Sequence, residues 1–273
     1  MTMIRFSFFH VFVVLGGLIA AAVTVPGCST ENLRPRTVPA GIELCIESPG
    51  GVRSLDLFIY RDTLICTLES HLRLEAPIPE TIFANSSPGD RLLVAIANSP
   101  APFREEALQR FESAEQLEMY YREEDPEYPL MSAVTAFSEG PVRIKLSPLL
   151  CPVDILYINN LTGLALSGMR VQLHNVNAHV QMLRTDGFRT VETEDNPATL
   201  AHPEMMRREI RENIGHELAP PDLTLYCYPF DGEGPSRTTL TLTAMAGSEQ
   251  REWSFAIPPL SRGQPAAMEL TLK

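Results

Sequence analysis

Val142-Arg143-Ile144-Lys145-Leu146 sets apolar side chains against basic ones at every second position. A strand turns successive side chains to opposite faces, so this stretch reads as a strand with Val142, Ile144 and Leu146 on a core and Arg143 and Lys145 in water. The same period recurs on either side. Upstream, residues 41–47 place Ile42, Leu44 and Ile46 inward, residues 52–60 place Leu55, Leu57 and Ile59 on one side, and residues 63–68 form a further strand. Residues 91–98 are apolar on both faces, as a central strand requires, and 131–137 returns to strand. Downstream, strands are expected at 151–159, 169–176, 223–228, 237–245 and 252–257, the last with Trp253, Phe255 and Ile257 inward. Residues 267–273 add a terminal strand whose apolar face carries Met268, Leu270 and Leu272. Many short strands parted by turn clusters such as Ser48-Pro49-Gly50-Gly51 make a mainly β fold of sandwich type.

Two segments change period. In residues 103–121, Ala107, Leu108, Phe111, Ala114 and Leu117 recur at helical spacing, which predicts one amphipathic helix packed on a sheet. Residues 203–214 predict a short charged surface helix, with Pro203 in its first turn and Gly215 after its end. Residues 187–196 read as a loop. Ser147-Pro148 marks a domain boundary, giving an N-terminal β-sandwich over 40–147 and a C-terminal one over 148–273.

The N-terminus has a different character. One basic residue, Arg5, precedes an apolar run over 6–25, and Val25-Pro26-Gly27-Cys28-Ser29 follows. This layout resembles a bacterial lipoprotein signal, in which cleavage precedes a cysteine that is then acylated. Residues 1–27 are then a signal peptide, Cys28 is the lipidation site, and 28–39 is a polar tether with two prolines. The competing reading is a membrane-spanning signal anchor, for which the run is long enough. Both readings export the rest of the chain; the first holds it on the outer membrane or cell surface by acyl chains such as palmitate.

The remaining composition excludes several functions. A net charge of −12 over 273 residues argues against nucleic acid, or anionic lipid, as a partner of the folded body. No Gly-x-Ser-x-Gly, phosphate-cradling loop or His-Glu-x-x-His is present. His174 and His179 stand five apart, which on a strand faces them oppositely and suits no shared metal. Asp231-Gly232-Glu233-Gly234 lacks the further carboxylates of a calcium loop, and Glu123 to Glu127 reads as a solvated acidic tract. No cofactor, metal or catalytic set is expected. An exported chain permits disulfides. Cys45 and Cys66 lie on faces of different character, whereas Cys151 and Cys227 each share a face with core aliphatics; these two either form a disulfide or remain two buried thiols. Asp62-Thr63-Leu64 resembles an Asp-Thr-aliphatic acceptor, making Thr63 a candidate for O-glycosylation against the plainer role of a hairpin turn.

Several soft motifs together resemble the fimbrillin family, in particular the lipid-anchored anchoring subunits of type V pili. Leu55-Asp56-Leu57-Phe58-Ile59-Tyr60 resembles an early strand of that family, and Leu93-Val94-Ala95-Ile96-Ala97-Asn98 its central strand. Pro129-Leu130-Met131-Ser132 resembles the segment leading toward the second domain, Leu146 to Leu150 the crossing, and Pro258-Pro259-Leu260-Ser261-Arg262-Gly263 the usual ending. Ala133 departs from the pattern, standing where a glycine is common. The resemblance implies two transthyretin-like β-sandwich domains in tandem, no enzymatic activity, fimbrial subunits as partners, and assembly by donor-strand exchange, with Met268, Leu270 and Leu272 as the exchange candidates. The alternative from a different class is a surface glycan- or peptide-binding lipoprotein of a nutrient-uptake system, which an exposed aromatic platform would favour. A hydrolase would need a cleft of convergent carboxylates or a nucleophile.

Overall fold

The hydrogen-bonded ladders divide about Pro148. The computed structural model describes residues 38–46, 51–120, 124–177, 179–183, 193–194, 207–210, 218–219, 223–229 and 237–273. Before Pro148, β1 (Val38–Ile46), β2 (Ser54–Arg61), β3 (Thr67–Glu75), β4 (Thr81–Ser86), β5 (Arg91–Ala97), β7 (Met131–Phe137) and β8 (Val142–Pro148) form one sheet ordered β3-β2-β5-β7-β8-β1-β4. β8 serves two neighbours. Val142 to Leu146 run parallel to β1, while Ser147 and Pro148 pair antiparallel with β7. The strand therefore passes from one layer to the other, and the sheet folds over on itself. Leu55, Leu57, Ile59, Leu93 and Ala95 on one layer meet Ile82, Ala84, Ile144 and Leu146 on the other. Each such aliphatic contributes roughly 1.5–3 kcal/mol by leaving water.

The two edge strands of this sheet, β3 and β4, meet through side chains. Glu69 on β3 accepts from the Ser87 amide at 2.8 Å and from Arg91 Nε at 2.5 Å. Burial pushes the Glu69 carboxyl up, but bonds from Ser87 and Arg91 outweigh it and hold the group below its usual range.

β2 is buried on both faces, more than its one-sided pattern predicts. Its second face carries Asp56, Phe58 and Tyr60, and the segment over 103–117 covers it. That segment is not the single helix expected. A 3-10 turn (Glu105–Ala107), a short helix α1 (Phe111–Glu115) and a strand β6 (Glu118–Tyr120) replace it. The reason is tertiary. The Gln109 carbonyl accepts from the Leu68 amide at 2.8 Å and the Phe111 amide donates to Cys66 at 2.9 Å, so backbone groups a helix needs are bonded to the β2–β3 hairpin. The predicted apolar residues still cover the sheet: Leu108 and Ala114 are buried, and Phe111 packs edge-on against Tyr60 at 5.7 Å.

After Pro148, β9 (Cys151–Asn160) is central to its sheet. β15 (Leu218–Ala219) and β16 (Leu223–Cys227) pair antiparallel along one side, and β19 (Ala266–Leu272) runs parallel along the other. A second sheet is ordered β14-β10-β17-β18, from β10 (Leu166–His174), β14 (Arg207–Ile210), β17 (Thr239–Ala246) and β18 (Glu249–Ala256). Val153, Ile155, Leu225, Leu270 and Leu272 belong to one core with Val171, Leu173, Leu240 and Leu242. The helix expected over 203–214 is corrected at Arg207–Ile210. That stretch is β14, drawn into strand by pairing with β10, where Met169 opposes Ile210 and Arg170 meets Glu209 at 2.9 Å. Trp253 is half-buried rather than interior, because β18 is an edge strand.

Short strands complete the pairing. β11 (Val176–Asn177) pairs β13 (Thr193–Glu194), and β12 (His179–Gln181) pairs β6, a ladder linking the two groups. The apolar cluster also runs across the division, through Leu130, Leu149 and Leu150. Residues Thr37–Lys273 form one compact unit. Among the described residues no helix is long and apolar enough to cross a membrane.

Candidate functional site

The terminal strand is the first candidate. Its alternation Ala-Ala-Met-Glu-Leu-Thr-Leu sends Met268, Leu270 and Leu272 into the core, and all three are buried. Among the described residues its one ladder is with β9, where Met268 opposes Ile155, Leu270 opposes Ile158 and Thr271 opposes Asn159. Among the described residues its other side is unpaired. β18 is the neighbouring open edge of the second sheet, and Trp253 Nε1 reaches from it to donate to the Lys273 carbonyl at 3.0 Å. β19 thus closes its own sandwich from an edge position, through one ladder and three apolar side chains.

A half-buried arginine holds the ending motif in place. Arg262 Nη2 donates to the carbonyls of Ser132 at 3.1 Å and Ser147 at 2.9 Å and to Ser132 Oγ at 2.6 Å. Nε and Nη1 reach the carbonyls of Pro148 and Met182, each at 3.3 Å. These bonds tie the loop before β19 to β7, to β8 and to the segment after β12. Burial pulls the Arg262 pKa down to about 10, opposed by the charge of Glu124, so the group stays cationic at neutral pH. Glu124 is buried, accepting from the Leu130 amide at 3.0 Å and from the Tyr228 hydroxyl at 3.2 Å. The sequence shows Arg262 as one charge in a Pro- and Gly-rich loop; nothing local marks it as a clamp.

Beside this clamp lies a cavity of about 510 Å³. Asp154 and Pro152 on β9, with Thr224 and Tyr226 on β16, alternate with the buried Val153, Ile155, Leu225 and Cys227, so they stand on the face turned away from the core. Pro126 and Pro129 form one further wall and Pro148, Gly263 and Pro265 another. Thr224 Oγ1 donates to Asp154 Oδ1 at 2.7 Å. Sequence reading missed the cavity, whose walls come from four separated segments.

A second polar cluster sits on the outer face of β2. Asp56, fully buried, lies 2.8 Å from His71 Nε2 and accepts from Arg73 Nη1 at 2.6 Å; His71 Nδ1 lies 3.1 Å from Glu105. The His71 ring stacks on Phe58 with centroids 4.3 Å apart. These contacts fasten the 3-10 turn to the sheet. One sequence signal existed: a lone carboxylate inside the apolar run Leu55 to Tyr60.

The other predicted positions are dispersed. Thr63 sits in the exposed hairpin tip, its hydroxyl donating to the Ile65 carbonyl at 3.0 Å, beside fully exposed Leu64. Cys151 and Cys227 oppose each other in the β9–β16 register, both buried, and stand as free thiols. Cys151 Sγ lies 3.0 Å from the Ser261 carbonyl. Burial pushes the Cys151 thiol up to about 12 and Cys227 well above the usual thiol range. Cys28, the leader and the loop at 231–234 lie outside the described residues, as does the Cys45 side chain. His174 meets the Thr241 hydroxyl at 2.7 Å. Among the described residues no group of three His, Cys, Asp or Glu could hold a metal ion.

Comparison with solved structures gives the fold a context. A protein from Bacteroides eggerthii assigned to cell adhesion superposes with a TM-score of 0.61 at 9% identity, covering 87% of each chain. A fimbrilin from Porphyromonas gingivalis superposes with a TM-score of 0.57 at 9% identity, over 80% of this chain and 81% of that one. The tip fimbrial protein Mfa3 from the same organism, with a C-terminal truncation, gives 0.56 at 14% identity over 86% and 96%. At these identities the likeness is one of fold. No protein-family model and no curated protein matches the chain.

Proposed function

We propose that the chain is a lipid-anchored cell-surface subunit of a fimbria, an anchor or accessory component without enzymatic activity, joined to other subunits by strand complementation. The observation that carries this reading is the sharing of one fold, over most of both chains, with fimbrial proteins. The tandem transthyretin-like arrangement belongs to the same proposal. The leader ending at Gly27-Cys28 supplies an attachment to the outer membrane.

The strand arrangement suits such assembly. β19 leaves only one ladder behind if it moves, and its three buried side chains offer a neighbour about 5–9 kcal/mol of apolar burial before ordering costs. β1 lies between β8 and β4 with a ladder on each side, so a sandwich lacking it presents two unpaired edges and a groove between them. Donation by β19 and reception in such a groove use the same backbone chemistry.

Affinity isolation of the tagged full-length chain from detergent-extracted cells tests the reading. Recovery of fimbrial subunits in a fixed ratio is expected. Isolation without any fimbrial subunit, from cells carrying intact fimbriae, would overturn it.

A further inference from the structure

The cavity on the outer face of the second half has a chemical character that the fimbrial reading does not use. Five of its ten lining residues are proline. Proline has no backbone N–H, so those positions supply apolar ring surface and no donor. Among the described residues, the one charged lining group is Asp154. Its Oδ1 is taken by Thr224, and among the described residues no cation pairs with it. Tyr226 presents an aromatic ring on the same wall. Arg262, next to the lining residue Gly263, turns its guanidinium to the carbonyls of Ser132, Ser147, Pro148 and Met182, with the charge of Glu124 favouring its cationic form.

Such a cavity rejects an anion, which finds a carboxylate and few donors. It serves a sugar poorly, because several hydroxyls would lack partners. It suits a flat cation on an aliphatic stem. The stem packs on proline rings, and the N–H groups of the guanidinium donate to the second carboxylate oxygen of Asp154. A ring-built wall is already ordered, so binding costs little conformational entropy. The chain's net charge of −12 favours encounter with cationic partners.

We propose that this cavity receives one arginine side chain of a partner polypeptide. The inference stands apart from lipidation and from β19, neither of which takes part in it. The test is calorimetric titration of the folded chain with N-acetyl-arginine methylamide, and with its uncharged isostere N-acetyl-citrulline methylamide. Saturable binding of the arginine probe is expected, at least tenfold tighter than the citrulline one. Asp154→Asn keeps an amide oxygen for Thr224, so its melting temperature should match the native chain while arginine affinity falls tenfold or more. Equal affinity for the two probes, an unchanged affinity in a folded Asp154→Asn variant, or no saturable binding of the arginine probe each overturns the proposal. All of these outcomes leave co-isolation with fimbriae untouched, so the two readings fail separately.

Discussion

Arg262→Ala removes the clamp between the loop before β19 and the strands β7 and β8. The guanidinium makes five hydrogen bonds to Ser132, Ser147, Pro148 and Met182. Hydrogen bonds from a charged donor contribute about 1.5–3 kcal/mol each when isolated, but these share one group and do not add. Leaving the carbonyls it serves without that donor costs about 3–5 kcal/mol in all, and that is the loss expected here. For a chain of this size, about 3–5 kcal/mol lowers the melting temperature by roughly 6–20 °C. Urea unfolding followed by Trp253 emission and by far-ultraviolet circular dichroism measures it. Because the clamp joins the two groups of ladders, the two signals should also separate, with the half containing Trp253 reporting its own midpoint. A loss below about 1 kcal/mol with coincident transitions would refute the reasoning, because it would mean that water replaces the guanidinium at those carbonyls without cost.

Leu270→Ala, at a fully buried position in β19, should cost about 2–5 kcal/mol in the same urea assay, whereas Leu64→Ala at the exposed hairpin tip should stay within about 0.5 kcal/mol. The buried thiols give a pH dependence. The Cys151 pKa is raised in the folded state from 9.0 to about 12, so its contribution is fully present below pH 9 and is lost as pH rises through about 12. Between pH 9 and 10, stability should fall by roughly 1 kcal/mol per buried thiol, offset in part as Arg262 starts to lose its proton, and Cys151→Ala with Cys227→Ala should flatten the slope. A thiol assay in denaturant on the exported chain should count both cysteines as free; loss of both would mean a disulfide between them. Cys28→Ser should move the chain from the membrane to the soluble fraction, and a variant still cut at the same place and still membrane-bound would contradict lipidation.

The strands were legible where one face is wet. Val142 to Leu146 and Met268 to Leu272 alternate because each strand covers a core with every second side chain, and a period of two survives without tertiary knowledge. β4 was missed because its inward residues are Ile82, Ala84 and Ser86, two of them small or polar, so the alternation carries little hydrophobic contrast. The segment over 103–117 misled for another reason. Its apolar spacing suits any element that lays one face on a sheet, and the competing bonds from Cys66 and Leu68 lie over forty residues away in sequence. Arg207–Ile210 was likewise settled by pairing with β10 rather than by its own propensity. The cavity was illegible in principle. Each proline reads locally as a turn or a strand end, and only the register of Asp154 with Thr224 and of Pro152 with Tyr226 assembles them.

Strand donation by β19 can be tested by locking that strand in place. Asn159 and Thr271 oppose each other in the β9–β19 register, and adjacent strands bring Cα atoms within disulfide reach. A chain carrying Asn159→Cys and Thr271→Cys should fold and oxidise within itself. Incorporation into fimbriae is then compared for the oxidised chain, the reduced chain and each single substitution. The account predicts that the oxidised chain is exported and folded but absent from isolated fimbriae, and that reduction restores it. Incorporation of the locked chain at the level of the native one would contradict strand donation.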